Sequence, residues 1–453
     1  MFTVETITTP GLAQHSYLIA SGGEAFIIDP RRDVEIYLDR LAAQGLTLKG
    51  VAETHSHADF VAGTRALSEA TEAPLYSGSL SPAAETAHIH LKDGQVLLVG
   101  DTEIVSIHTP GHTPDHFAYF VTDRKDPDQA PALFSGDVMF VGDLGRPELL
   151  GANVAHELAA ALYRTAWEKL RPLPGHTILY PGHGAGSLCG KNLSDKPTST
   201  LDDEFATSPA LQLSEPDFVA FMLADQPRVP PHFGTMVGLN KAGQAAPVEF
   251  AAIPQLSMSA IEEALTDPAK LVIDARSVDA FSTGHVPGTV YLGVNPGVPT
   301  WMGWLLTPGQ QVIALVDSAE QAQELRRWMV RVGFDRLDGY AIFDGAQWSG
   351  TLATVPTLDG SSFDPASLAG QLIDVRTPSE VARGSLADAQ SIPLCELPKR
   401  LAEIDRDQPV TIFCQGGYRG AIAASLLAKA GFTEVTNIAG GYGAMSKSPA
   451  CTL

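Results

Sequence analysis

The chain has 453 residues, 44% of them hydrophobic, and a formal net charge of −22. That length predicts about three domains at ~150 residues each, and the charge argues against broad binding to nucleic acid or to an anionic membrane. An anionic substrate would need a local basic site set against that field. The opening residues, Met1-Phe2-Thr3-Val4-Glu5, lack the basic and apolar regions of a signal peptide, and no apolar run approaches the ~18 residues of a membrane span. The cysteines Cys189, Cys395, Cys414 and Cys451 show no C-x-x-C or zinc-finger spacing. These features together predict a reducing, cytoplasmic location.

Along the first half, short β-branched runs alternate with helical stretches. Phe26-Ile27-Ile28-Asp29 and Val96-Leu97-Leu98-Val99 read as strands, and Ala155 to Leu170 as an amphipathic helix. Between them lies Thr54-His55-Ser56-His57-Ala58-Asp59-Phe60, two histidines and a carboxylate suited to a first-row metal. Thr109-Pro110-Gly111-His112, Phe134-Ser135-Gly136-Asp137 and Tyr180-Pro181-Gly182-His183 follow, each where a strand should end and a glycine loop begin. The order resembles the metallo-β-lactamase pattern, whose first element is H-x-H-x-D-H. Its last His holds a second metal; Phe60 stands there and has no lone pair, which predicts a single-metal centre. Asp225 to Pro254, rich in Pro and Gly, reads as a tail and linker.

The remainder repeats with a period of about one hundred residues, as duplicated α/β domains would. Leu271-Val272-Ile273-Asp274-Ala275-Arg276 resembles Gln371-Leu372-Ile373-Asp374-Val375-Arg376, and Arg331-Val332-Gly333-Phe334 resembles Lys429-Ala430-Gly431-Phe432. Thr351 to Asp364 marks the break. In the second copy, the strand Val410 to Phe413 ends at Cys414, followed by Gln415-Gly416-Gly417-Tyr418-Arg419 and a helix expected over Ala421 to Ala430. A thiol at a helix N-terminus has its thiolate stabilised by backbone N–H groups. Adjacent glycines let those groups converge, and Arg419 adds fixed charge. The first copy has Asp317 in the thiol's place and no glycines, so it should be inactive. Cys395 is expected in the core and Cys451 in a frayed tail without a role.

Over nearly its whole length the chain resembles the persulfide dioxygenase–rhodanese fusion proteins. The match includes Asp29-Pro30-Arg31-Arg32-Asp33, Gly142-Asp143-Leu144-Gly145-Arg146-Pro147 and Gly186-Ser187-Leu188-Cys189-Gly190-Lys191. The resemblance implies an α/β multidomain chain: a metallo-β-lactamase αββα sandwich over 1–245, an inactive rhodanese-like domain over 246–352 and an active one over 353–453. It implies one mononuclear Fe(II) on His55, His112 and Asp137, with His57, Asp59 and His183 orienting ligands or waters. The residues alone leave open zinc with His57 as an extra ligand. It further implies oxidation of a thiol persulfide of coenzyme A, glutathione or bacillithiol type by O2, with sulfane sulfur passing through Cys414 to sulfite. Arg419 would assist Cys414, and Gln415, Gly416, Gly417 and Tyr418 would line the sulfur site.

Arg146 reads either as an anion contact or as a structural ion pair. Lys191 is placed beside Cys189, which reads either as a substrate-bearing thiol or as an inert one. Self-association is left open. Two rival readings are a glyoxalase-II-like thioester hydrolase fused to a sulfurtransferase, and a non-catalytic persulfide sensor or carrier.

Overall fold

A computed structural model of the chain describes residues 1–78, 88–191, 193–224, 226, 228–242 and 252–448. The expected boundary at 245/246 and Cys451 lie outside the described residues. The chain divides into two compact units, one built on two six-stranded sheets and the other on two smaller parallel sheets.

The first sheet runs in chain order through β1 (Thr3–Thr9), β2 (Gln14–Ser21), β3 (Glu24–Ile28), β4 (Thr47–Ala52), β5 (Leu75–Ser77) and β6 (His88–His90). The second comprises β7 (Gln95–Val99), β8 (Thr102–His108), β9 (Phe117–Asp123), β10 (Ala132–Gly136), β11 (Ile178–Pro181) and β12 (Ser199–Thr200). Side chains alternate across each strand, so one strand feeds two cores. In β2, Tyr17 and Ile19 enter the core between the sheets, where Phe26, Phe117, Tyr119 and Phe134 also lie. Leu18 and Ala20 face the other way, toward Tyr37 and Leu41 of the helix Glu35–Gln44. In β9, Ala118 turns outward to Ala159 and Leu162 of the helix Ala152–Arg164. The result is a four-layer αββα sandwich.

Two expectations need correction here. The helix expected to reach Leu170 is α-helical only over Ala152–Arg164 and continues as a π-helical turn, Thr165–Leu170. The supposed linker from Asp225 holds a helix, Phe233–Lys241, and Phe233 and Met236 on it are buried. Its Gly and Pro content hid a short apolar face.

The third sheet contains β13 (Lys270–Asp274), β14 (Val290–Tyr291), β15 (Gln311–Val316) and β16 (Leu337–Ile342), in the order β14-β13-β15-β16. The fourth contains β17 (Thr357–Asp359), β18 (Gln371–Asp374), β19 (Gln390–Ser391), β20 (Val410–Phe413) and β21 (Val435–Ala439), in the order β17-β21-β20-β18-β19. Written from the other edge, β19-β18-β20-β21 repeats the third sheet. The repeated Asp-x-Arg has a physical reason. Arg276 grips Asp274 at 2.7 and 3.0 Å and donates to the Gly284 carbonyl at 2.8 Å. Arg376 does the same to Asp374 and Gly384. Both pairs are buried, where an unpaired charge would be costly.

Cys395 is half-buried rather than in the core; Leu394 and Leu397 beside it take the buried positions. Among the described residues no helix is long and apolar enough to cross a membrane.

Candidate metal centre and thiol loop

His55, His112 and Asp137 come from loops that follow β4, β8 and β10, and the structure brings them together. His112 Nε2 and His55 Nε2 lie 3.6 and 3.9 Å from Asp137 Oδ2. All three residues are buried. Asp137 Oδ2 has no hydrogen-bond partner among the described residues. Two imidazole nitrogens facing an unsatisfied carboxylate oxygen form the donor set a divalent cation completes, so these residues fit a metal.

The surrounding residues set the ligand atoms. Asp29, held at a left-handed φ of 51°, accepts from the Thr54 N–H at 2.7 Å and the Thr54 hydroxyl at 2.8 Å. Because that hydroxyl donates to Asp29, it must accept from His55 Nδ1, 2.9 Å away. His55 Nε2 is then left with its lone pair toward Asp137. His116 accepts from the Asp137 N–H at 3.1 Å, pairs with the Thr109 hydroxyl at 2.7 Å and stacks on the His55 ring. Gly136, at φ 50°, admits this crowding: a Cβ there would press within 2.7 Å of Thr54 and His116.

His57 Nε2 bonds Asp29 at 2.9 Å and its ring packs on Phe60. His183 sits between two carboxylates, Nδ1 at 2.8 Å from Asp137 and Nε2 at 2.9 Å from Asp59. Burial opposes a charge on His183, yet these carboxylates raise its pKa well above the usual histidine range. Asp59, His183 and Cys189 also have ligand-type atoms within 4.8 Å of one another. There both ring nitrogens of His183 are already engaged. Cys189 is buried, and desolvation with Asp137 and Asp59 nearby drives its thiol pKa up.

Arg146 is buried; it bonds Glu148 at 2.6 Å and the Leu188 carbonyl at 2.8 Å, tying its loop to the Cys189 loop. The Lys191 ammonium donates to the Phe221 and Ala224 carbonyls at the end of the helix Glu215–Leu223. Asn240, in the unexpected helix, donates to the His57 and Phe60 carbonyls, both at 2.8 Å, and accepts from the Ala62 N–H at 3.0 Å. Nothing local in the sequence announces this clamp.

In the other unit, Cys414 lies just beyond β20 and is buried. The Gly417 N–H donates to its Sγ at 3.0 Å, and Gly417 takes φ 99°, a conformation glycine supplies without strain. The helix starts at Tyr418, three residues earlier than expected, and runs to Lys429. Gln415 and Gly416 form the exposed rim. The Tyr442 and Gly443 amides hold the Cys414 and Gln415 carbonyls at 2.7 and 3.0 Å.

Arg419 lies against Cys414 and is held in a fork by Glu380 at 2.6 and 2.7 Å. Burial works against ionisation of Glu380, but Arg419 brings its pKa down to about 2. Glu380 also closes a capping box with Thr377, and T-P-S-E was the sequence signal that could have found it. The first copy has only Asp317 and Ser318 between β15 and the helix Ala319–Arg331, and Asp317 is exposed. Two residues leave no loop to cradle an anion.

The family model described as the metallo-β-lactamase superfamily matches residues 9–183, and that of the rhodanese-like domain matches 363–448. A hydroxyacylglutathione hydrolase of Hahella chejuensis is 35% identical over 161 residues, 36% of this chain; the chain spans 57% of that relative's length. The mouse mitochondrial persulfide dioxygenase ETHE1 is 27% identical over 220 residues, 47% of this chain and 77% of that one. The crystal structure of a metallo-β-lactamase from Staphylococcus aureus subsp. aureus COL superposes with a TM-score of 0.67 at 31% identity, covering 75% of this chain and 98% of that one.

Proposed function

Because the chain belongs to the metallo-β-lactamase superfamily and its fold continues into a rhodanese-like domain, we propose that it oxidises a low-molecular-weight thiol persulfide with O2 and passes sulfane sulfur through Cys414 to sulfite. Phe60 carries this reading. It removes a ligand of the second metal that a two-metal thioester hydrolase requires, and leaves the two-His, one-carboxylate set of His55, His112 and Asp137. Such a set would suit non-haem Fe(II) in O2 chemistry. Iron(II) held there would supply activation of O2 for oxidation of the persulfide's terminal sulfur. The mouse relative named as a persulfide dioxygenase supports the same reaction class.

The chain's own residues have defined tasks. His183 and Asp59 hold the Asp137 carboxylate by its Oδ1, which leaves Oδ2 for the metal. Thr54 and Asp29 fix the His55 tautomer. The reaction balances as R–S–SH with O2 and water giving R–SH, sulfite and two protons. In the second half, the Cys414 thiolate attacks the outer sulfur of another persulfide and releases the thiol. Sulfite then attacks the sulfur on Cys414 and leaves as thiosulfate. The Gly417 amide and the Arg419 guanidinium stabilise the anionic sulfur in both steps.

Anaerobic metal analysis combined with O2 uptake on persulfides of coenzyme A, glutathione and bacillithiol tests this reading. The expected result is one iron per chain and sulfite-forming O2 uptake, both abolished in His112→Ala. Two tightly bound metals with thioester hydrolysis would overturn it in favour of a hydrolase. Persulfide binding without turnover would make the chain a carrier. Cys414→Ser should stop thiosulfate formation and leave O2 uptake and sulfite release intact.

A further inference from the structure

The middle domain has lost the thiol and the loop, yet it contacts the helix that carries the Cys414 amide donor. We propose that the middle domain is a positioning element for the Cys414 loop, acting through Tyr418.

Tyr418 follows Gly417, whose N–H lies 3.0 Å from the Cys414 sulfur. Its hydroxyl donates to the Gly293 carbonyl at 3.0 Å, and its ring meets Tyr291 edge-on at 5.8 Å. Asn295 adds a hydrogen bond to Tyr418 and is itself fixed by the Gly293 carbonyl at 2.9 Å and the Gly297 N–H at 2.7 Å. Position 293 is built for close approach: a Cβ there would stand 2.6 Å from the Arg276 carbonyl oxygen and 2.2 Å from the Tyr291 hydroxyl. The matching residue of the last domain is Pro393, as the paired bonds Leu292 N–H to Asp274 and Ile392 N–H to Asp374 establish. There the Pro393 carbonyl is taken instead by the Glu396 N–H at 2.7 Å.

The bracing continues down the helix. β14 is the edge of its sheet, and an edge strand presents unpaired amides. The Tyr291 N–H is satisfied from outside, by the Ser425 hydroxyl at 3.0 Å, and Lys429 Nζ reaches the Gly288 carbonyl at 3.3 Å. Residues 418, 425 and 429 thus dock on Gly288–Asn295. Of these, only Tyr418 lies in the turn that holds the Gly417 amide against the thiol. Loss of its anchor moves the amide, and the thiolate loses that stabilisation.

This inference rests on Cys414 as the sulfur-accepting thiol, but its test does not need sulfur transfer. The rate of Cys414 alkylation by iodoacetamide is measured on the full-length chain between about pH 5 and 9, where thiolate formation controls the rate. Tyr418→Phe and Asn295→Ala should each move the profile to higher pH and lower the neutral-pH rate about three- to tenfold, the size of one hydrogen bond. Ser425→Ala, in the same docking face but two turns away, should lower thermal stability and leave the profile in place. Profiles of Tyr418→Phe and Asn295→Ala that superimpose on wild type would overturn the proposal, as would an equal shift in Ser425→Ala. If Tyr418→Phe does not fold, Asn295→Ala decides. A wild type that forms no thiosulfate would remove the sulfur-transfer reading and leave the alkylation result to stand or fall alone.

Discussion

Phe60 packs its ring 4.4 Å from that of His57 and offers the metal centre no lone pair. Phe60→His should therefore raise zinc bound after reconstitution above one per chain and weaken O2 uptake, read by metal analysis and an oxygen electrode. Unchanged stoichiometry would mean that the Asp59–His183 pair, not Phe60, closes the second position. Glu380 makes a separate prediction. Its pKa falls from 4.5 to about 2 on folding, so its ionised form stabilises the native state above the unfolded value, and this contribution is lost as pH falls through the folded value. Glu380→Gln should cost about 1.5–3 kcal/mol at neutral pH, the range for hydrogen bonds to charged groups. The gap from wild type should narrow between about pH 5 and 2, and urea unfolding across that range measures it.

The helix Phe233–Lys241 shows what an element can do when its composition suggests a linker. Asn240→Ala removes three hydrogen bonds to the 57–62 loop and should speed loss of the bound metal on dialysis, with a stability loss of about 1–3 kcal/mol. Equal metal retention would show that the loop holds itself. The candidate ligands His55, His112 and Asp137 were legible because each lies just past a strand end, His55 in its H-x-H-x-D element and the other two directly after a glycine. Cys414 was legible because it ends a strand and two glycines and an arginine follow it. Of the ligands' supports, the resemblance pointed to Asp59 and His183, which in the structure bond each other and, through His183, Asp137, but gave no role to others. Asp29, His116 and Asn240 reach the site from positions 25 to 183 residues away from their partners or across a turn that carries no pattern. The duplication was legible through Asp274-x-Arg276 and Asp374-x-Arg376 because a buried ion pair fixes both residue type and spacing. The start of the Cys414 helix was misplaced because Gly417 caps it at positive φ, where periodicity gives no signal.

Under the proposed function, joining a dioxygenase centre to a sulfur-accepting thiol would raise the local concentration of the sulfite that one half passes to the other, provided the geometry permits. Persulfide and O2 should give mostly thiosulfate with wild type and sulfite with Cys414→Ser. A mixture of Cys414→Ser with His112→Ala should give less thiosulfate than wild type at equal site concentration; an equal yield would mean that sulfite travels through bulk solvent. The net charge of −22 repels sulfite, so only a local basic path would hold it near the chain, and a yield retained by such a path should fall as salt screens it. The Asn240 clamp has a further consequence in time rather than space. Asn240 and Phe60 are 180 residues apart, and a ribosome adding about 5–20 residues per second needs roughly 9–36 s to span them. Throughout that interval the loop that follows His55 is not yet latched, although His112 and Asp137 have already been made. A chain cut short before residue 240 would thus hold all three candidate ligands and should bind metal more loosely than the full chain.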